Sequence, residues 1–252
     1  MKKTFLFICI LHLSLFAFGQ TTDSTKTPAF FSGVITATNN GISLLPNFSL
    51  NKPAALFDLS MGKGRLSFDP MFRFGMDGKP WAFVFWGRYK LIQNAKFNMG
   101  IGAHPSFVFR TVTSTVNGVT NESITTQRYV AWEIAPTYVL NKKVNIGLYY
   151  LGSHGLTKDI IQYTTFLTVR STISHLNLSK GFSLTLMPQL YYLKMDKKTG
   201  TYVNGTVILS KKNFPLSLSS IVSQAIDTEI VGNEFVWNIG LNYNFNQKYV
   251  RQ

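Results

Sequence analysis

From about residue 42 onward, apolar side chains recur at every second position, and a period of two specifies β-strand. Between Arg65 and Met76, Leu66, Phe68, Pro70, Phe72, Phe74 and Met76 take one face, while Arg65, Ser67, Asp69, Met71, Arg73 and Gly75 take the other. Lys96 to Arg110 and Glu234 to Phe245 repeat the pattern. Helical periodicity is not developed anywhere. Twelve strands are predicted, over 42–51, 54–61, 64–76, 81–91, 96–110, 126–140, 144–153, 160–175, 181–195, 201–210, 215–226 and 232–246. Residues 31–40 either extend the first strand or lie inside as a plug.

The predicted connections alternate in character. Gly62–Gly64, Gln93–Ala95, Asn141–Lys143, Ser179–Lys180 and Lys211–Phe214 are tight, and lysine sits in or beside each. Longer polar links separate them, notably 111–125 and 227–231. The repeating unit is thus a hairpin, not a sequence repeat of the solenoid kind.

Period two does not say which face meets water. A soluble sandwich or lipocalin-like barrel would bury the apolar face and expose the polar one. Three features favour the inverse. Several predicted strands run past ten residues, whereas soluble strands average about 5–6 and membrane-tilted strands need about 9–11. The polar face mixes Gly, Ser and Asn with isolated arginines, as a crowded, wet interior would. The apolar face is rich in Phe, Trp, Tyr and Leu, and only 14% of the whole chain is charged against about 25% in soluble domains. Lipid tolerates no open sheet edge, so such strands must close. The expected fold is an all-β, transmembrane, antiparallel up-and-down barrel of about 12 strands (range about 10–14).

The N-terminus reads as an address. Lys2 and Lys3 precede an apolar run from Phe5 to Phe18, and Ala17-Phe18-Gly19 offers small residues for cleavage before Gln20. An uncleaved anchor and a lipoprotein signal at Cys9 fit less well, because the run is short and Ile8 is a poor neighbour for a lipidated cysteine. The expected organisation is a signal peptide over 1–19, a flexible periplasmic lead-in over 20–30, and the barrel over 31–252. Loss of Lys2 and Lys3 lowers the formal charge from +14 to +12, and the sole cysteine leaves with the signal.

Signal peptide, alternating strands, lysine-tipped short turns and a last strand ending Asn242-Tyr243-Asn244-Phe245 together resemble the small outer-membrane β-barrel proteins of Gram-negative bacteria. The resemblance spans roughly residues 30–247. It implies an outer-membrane location with both termini periplasmic, and contact with outer-membrane lipids and lipopolysaccharide. It also implies recognition by the barrel-assembly machinery through a terminal aromatic, here Phe245 or, shifted, Tyr249. Family functions range over diffusion pores, lipid enzymes, adhesins and inert anchors, so the fold leaves the role open.

Catalytic candidates are few. His104 and Ser106 share a strand face, as a base–nucleophile pair requires, and outer-membrane lipid hydrolases carry a similar His-x-Ser pair. Against this stand Pro105 between them, no specified orienting residue, and a plainer role as lumenal hydrogen-bonding groups. Isolated histidines and scattered acids suggest no metal site, and no cofactor motif is present. Arg65, Asp69, Arg73, Arg88, Lys90, Lys96, Arg110, Glu133, Arg170 and Glu234 fall on the polar parity and are expected to line the lumen. They either pair into a cross-linking network or form a basic constriction, with Arg73, Arg88 and Arg110 along an anion-preferring path. Pro70, Pro105, Pro136 and Pro188 lie inside strands on the outward parity and mark bulges or parted strands. Lysines in ones and twos, without a basic helix, point away from nucleic acid and toward anionic head groups. The expectation is a monomeric, non-enzymatic barrel for passive passage or binding of a small solute, anions included. A lipid hydrolase and a closed structural or adhesive barrel are the alternatives.

Overall fold

The computed structural model describes residues 27–249 apart from 44, 46, 47, 117, 118 and 180. The proposed signal peptide and most of the lead-in lie outside the described residues. The strands are β1 (Ala29–Thr38), β2 (Ala54–Lys63), β3 (Leu66–Gly75), β4 (Pro80–Gln93), β5 (Phe97–Val116), β6 (Val119–Val139), β7 (Val144–Gly155), β8 (Tyr163–Asn177), β9 (Phe182–Met195), β10 (Lys198–Lys211), β11 (Leu216–Thr228) and β12 (Phe235–Tyr249). Each pairs antiparallel with its sequence neighbours, and β1 closes on β12 from Ala29↔Tyr249 to Thr38↔Gly240. This is a closed twelve-stranded antiparallel barrel.

The two faces are inverted relative to a soluble barrel. Outward positions along β6, β8 and β12 carry Trp132, Val169, Ile239 and Leu241, each about half exposed. Such a face is stable only when lipid covers it, and closure is then obligatory. Each unpaired N–H or C=O in hydrocarbon costs several kcal/mol. Across β3, β4 and β5 the outer face is a phenylalanine cluster, with Phe83 reaching Phe74 at 5.3 Å and Phe109 at 4.9 Å between ring centroids. Cross-strand aromatic contacts of this kind contribute about 0.2–1 kcal/mol each.

Both ends of the described barrel and the turns β2–β3, β4–β5, β6–β7, β8–β9 and β10–β11 share one rim, called here the terminal rim. The remaining connections form the far rim. Lys63, Arg65, Lys90, Lys96, Lys142, Lys143, Lys211, Lys212 and Lys248 lie at or near the terminal rim. Among the described residues no Asp or Glu does. The acids sit in the lumen (Asp58, Asp69, Glu133) or toward the far rim (Asp77, Glu122, Asp159, Asp196, Asp227, Glu229, Glu234).

Two boundaries differ substantially from the periodicity. The first strand is Ala29–Thr38, not 42–51. Residues 39–53 instead fold into the barrel, where Gly41 N–H donates to Lys52 O at 2.9 Å and Leu50 N–H to Gly41 O at 2.8 Å. Among the described residues of this segment, Ile42, Leu45 and Phe48 pack inward and form no part of the wall. A Cβ on Gly41 would come within 3.0 Å of Trp81 Cζ3 and 3.1 Å of Ala54 Cβ, so glycine lets the loop enter beside β4. The second difference is 111–125, expected as a polar link. β5 and β6 pair continuously from Phe97↔Tyr138 to Val116↔Val119, projecting beyond their neighbours at the far rim. The Thr, Val and Ile residues of this stretch suit strands even without an apolar core.

The four strand prolines lie where pairing lapses in alternate seams. Leu59/Pro70, Phe85/Pro105, Pro136/Leu148 and Ser171/Pro188 fall in short gaps, and the same register resumes on either side. They are therefore not bulges. Each removes one ladder donor, while the register shifts lie elsewhere, at Arg73/Phe74, Lys90/Ile92, Ile173/Leu176 and Thr201/Tyr202.

Candidate functional site

The lumen is divided along its length. In the far half, Phe166, Tyr191, Leu193, Met195, Tyr202 and Ile230 form a buried cluster, with Leu45 and Phe48 of the inserted loop packed against it. The loop is held there by specific contacts. Trp81 Nε1 donates to Phe48 O at 2.7 Å, and the Phe48 and Tyr129 rings meet edge-on at 5.5 Å. Asn238 Nδ2 donates to Asn40 O at 3.1 Å, and Lys52 Nζ pairs with Asp77 at 2.6 Å at the far rim. The Lys52 hydrogen bond, helped by the Lys79 N–H, holds the Asp77 carboxyl below the usual carboxylate range.

Below the loop lies a cavity of about 480 Å³, lined by Trp81, Val84, Trp86, Val108, Leu151 and Phe166 together with Arg73, Arg88, Arg170, His104 and Ser106. Nearer the terminal rim a second space of about 520 Å³ opens among Ser32, Asp58, Ser60, Asp69, Asn244 and Asn246. Met71 and Arg88 line both spaces and so mark the boundary where the two adjoin.

That boundary holds an ion-pair network. Arg88 Nη1 pairs with Asp69 at 2.8 Å and its Nε with Glu133 at 2.7 Å. Glu133 also accepts from Tyr149 Oη at 2.7 Å, and Asp69 accepts from Ser67 at 3.1 Å and from Ser60. The guanidinium lies 4.4 Å from the Trp86 ring, which fixes its plane. Gly102 makes room for this pairing, since a Cβ there would stand 2.9 Å from Glu133 Oε1 and 3.1 Å from Arg88 Cγ. Arg73 pairs with Asp58 at 3.0 Å. The three lumenal carboxylates are thus engaged by two arginines. Arg170 packs its guanidinium 4.9 Å from the Tyr149 ring, with no carboxylate within ion-pair distance among the described residues. Arg110 lies 5.8 Å from the Phe48 ring of the inserted loop.

Of the charged residues expected to line the lumen, Asp69, Arg73, Arg88, Glu133 and Arg170 meet around the cavity and the boundary. Arg65 and Lys96 sit in turns, and Lys90 lies exposed near its strand end, all at the terminal rim; Glu234 lies in the exposed β11–β12 loop at the far rim. Parity continued past the strand ends, where it no longer assigns a face. His104 and Ser106 face the cavity and are buried, but no hydrogen bond between them is found among the described residues. His104 packs against Trp86 at 4.1 Å, and its Nδ1 is buried without a hydrogen-bond partner. No nucleophile–base pair is assembled.

The extent of the apolar lining was not anticipated from the sequence, where the inward face was expected to mix Gly, Ser and Asn with isolated arginines. A signal was present: Ala82, Val84 and Trp86 share the parity of Arg88, so this strand is apolar on both faces near the loop.

No family model matches the chain, and no curated protein matches it. Among solved structures, the KdgM porin aligns with a TM-score of 0.50 at 12% identity, over 85% of this chain and 99% of its own. The NanC porin aligns with a TM-score of 0.50 at 11% identity, over 87% of this chain and 100% of its own. At these identities the likeness is one of fold: the chain has the fold of outer-membrane β-barrel porins.

Proposed function

We propose that the protein is an outer-membrane barrel that passively passes or holds a small solute, the terminal rim facing the periplasm. The observation that carries this reading is the pair of lumenal spaces that adjoin at Met71 and Arg88, with Ile42, Leu45 and Phe48 of the inserted loop on the far side. A purely structural barrel has no need of two such spaces along its lumen. The basic terminal rim supports the orientation, because each Lys or Arg near an anionic leaflet gains about 1 kcal/mol. Phospholipid head groups are its natural partners on that side. The barrel-assembly machinery and lipopolysaccharide are the further partners that an outer-membrane address brings.

Proteoliposome swelling tests the reading. The full chain, refolded into liposomes, is expected to admit small anions and small neutral solutes, with rates falling steeply as solute size rises. Reversal potentials in a salt gradient are expected to favour anions over cations modestly, because among the described residues the lumen holds Arg73, Arg88, Arg110 and Arg170 against Asp58, Asp69 and Glu133. No swelling in any small solute would return the barrel to a closed structural role.

A further inference from the structure

We infer that the lumenal cavity is a binding site for a monoanion with an apolar body, an aliphatic or aromatic carboxylate whose anionic end pairs with Arg170. This deepens the proposed solute reading and rests on it, since the ligand must reach the cavity through the lumen.

The first argument is the uneven distribution of direct ion pairs. Asp58 engages Arg73, and Asp69 and Glu133 both engage Arg88. Arg170 is left against the Tyr149 ring, on the cavity wall, with no carboxylate at ion-pair distance among the described residues. A half-buried guanidinium beside aromatic groups gains far more from a carboxylate than an exposed one does, because charge-assisted bonds strengthen as the surroundings lose water.

The second argument is independent of charge. The wall is mostly apolar, carrying Trp81, Val84, Trp86, Val108 and Phe166. Of the hydroxyl and amide groups set among them, Thr168 Oγ1 already donates to Leu190 O and Gln189 Nε2 to Asn204 Oδ1, leaving groups such as Ser106 and Ser153. The apolar surfaces favour an apolar body. At about 480 Å³ the cavity falls within the roughly 300–1,000 Å³ range of pockets that enclose organic ligands. Arg170 offers one guanidinium with no carboxylate at ion-pair distance among the described residues, a place for one negative charge; a dianion would leave a charge unpaired in an apolar site.

Two of the four tryptophans, Trp81 and Trp86, line the cavity, while Trp132 and Trp237 face outward, about half exposed. A W132F/W237F background therefore makes tryptophan fluorescence report on the cavity alone. The probe is 4-iodobenzoate, a heavy-atom quencher, added to the full-length barrel in lipid nanodiscs. Saturable quenching is expected, with affinity at least tenfold above that of neutral 4-iodobenzyl alcohol. R170M is expected to weaken binding at least tenfold. R170K, which keeps the charge, stays within a few-fold of the parent, and the rim variant K248M leaves binding unchanged. Heat-modifiable migration confirms that each variant is folded. Linear, non-saturating quenching, equal affinity for the alcohol, or an unchanged affinity in folded R170M each overturns the ligand class. The two readings fail separately. Saturable binding without liposome swelling supports the site and removes passage, whereas swelling with linear quenching removes only the site.

Discussion

Replacing residues 39–53 by a two-residue turn is expected to raise single-channel conductance several-fold. The exchange is geometrically simple, because Thr38 and Ala54 already stand opposite each other at the end of the β1–β2 register. A short turn can therefore join them without altering any seam of the barrel. What is lost is the packing that blocks the far half of the lumen: Ile42 over the cavity, Leu45 and Phe48 against the buried cluster, and the Phe48 carbonyl that accepts from Trp81. Trp81 Nε1 then meets water in a widened lumen, so its lost partner is replaced and the wall need not reorganise. Heat-modifiable migration should persist, since the membrane-facing belt and all twelve strands are untouched. The milder W81F, which removes the hydrogen bond to Phe48 and trims a buried ring beside Arg73, should give brief openings rather than a permanent increase. Unchanged conductance in the shortened barrel would mean that some other segment, or none, controls the path.

R88M is expected to be among the most destabilising single changes in the lumen. It leaves Asp69 and Glu133 without their cation, and both carboxylates are strongly buried, at 8% and 7% exposure. Removing one partner of a buried pair costs about 3–5 kcal/mol. Because the Arg88 side chain is itself 34% exposed, the lower end, about 3 kcal/mol, is expected. With urea slopes of about 1–3 kcal/mol/M, the unfolding midpoint of the refolded barrel should fall by roughly 1 M or more. The double variant R88M/E133Q should recover part of the loss, since it removes one of the stranded charges, and the non-additivity of the cycle measures the coupling. A loss under about 0.5 kcal/mol would mean that lumenal water solvates these carboxylates well enough to make the network dispensable.

The wall of the barrel was legible in the sequence because a wall residue has only two choices of face. Strand length, the uncharged outward parity and the lysine-tipped turns fixed the strand number and which face meets lipid. β1 was missed because Gly33 and Ala37 weaken its outward apolar signal, whereas the inserted loop shows alternation of its own. The β5–β6 projection was missed because its pairing is sustained by Thr and Val without burial, and Asn117-Gly118 was the overlooked hairpin signal. In the lumen, parity placed Asp69, Arg73, Arg88, Glu133 and Arg170 on the correct face but could not say which would pair. Pairing depends on seam register, which brings Arg88 and Glu133 to opposite sides of Gly102. Nor does parity reveal that a loop brings Phe48 into the lumen to meet Trp81 and Tyr129.

The central claim is that the apolar parity faces lipid and the polar and aromatic parity faces a water-accessible lumen. After Cys9 the chain has no cysteine, so single-cysteine variants report one position at a time. Leu148, Val169 and Leu190 represent the outward face, and Ser153, Thr168 and Gln189 the inward one. Each variant is labelled with bimane and placed in liposomes of brominated phospholipid. The account predicts strong quenching at 148, 169 and 190, weak quenching at 153, 168 and 189, and reaction with a water-soluble thiol reagent only in the second group. Quenching that does not alternate, or water-soluble reagent reaching 148, 169 and 190 as readily as the others, would contradict the barrel's inverted faces and with them the lumenal path.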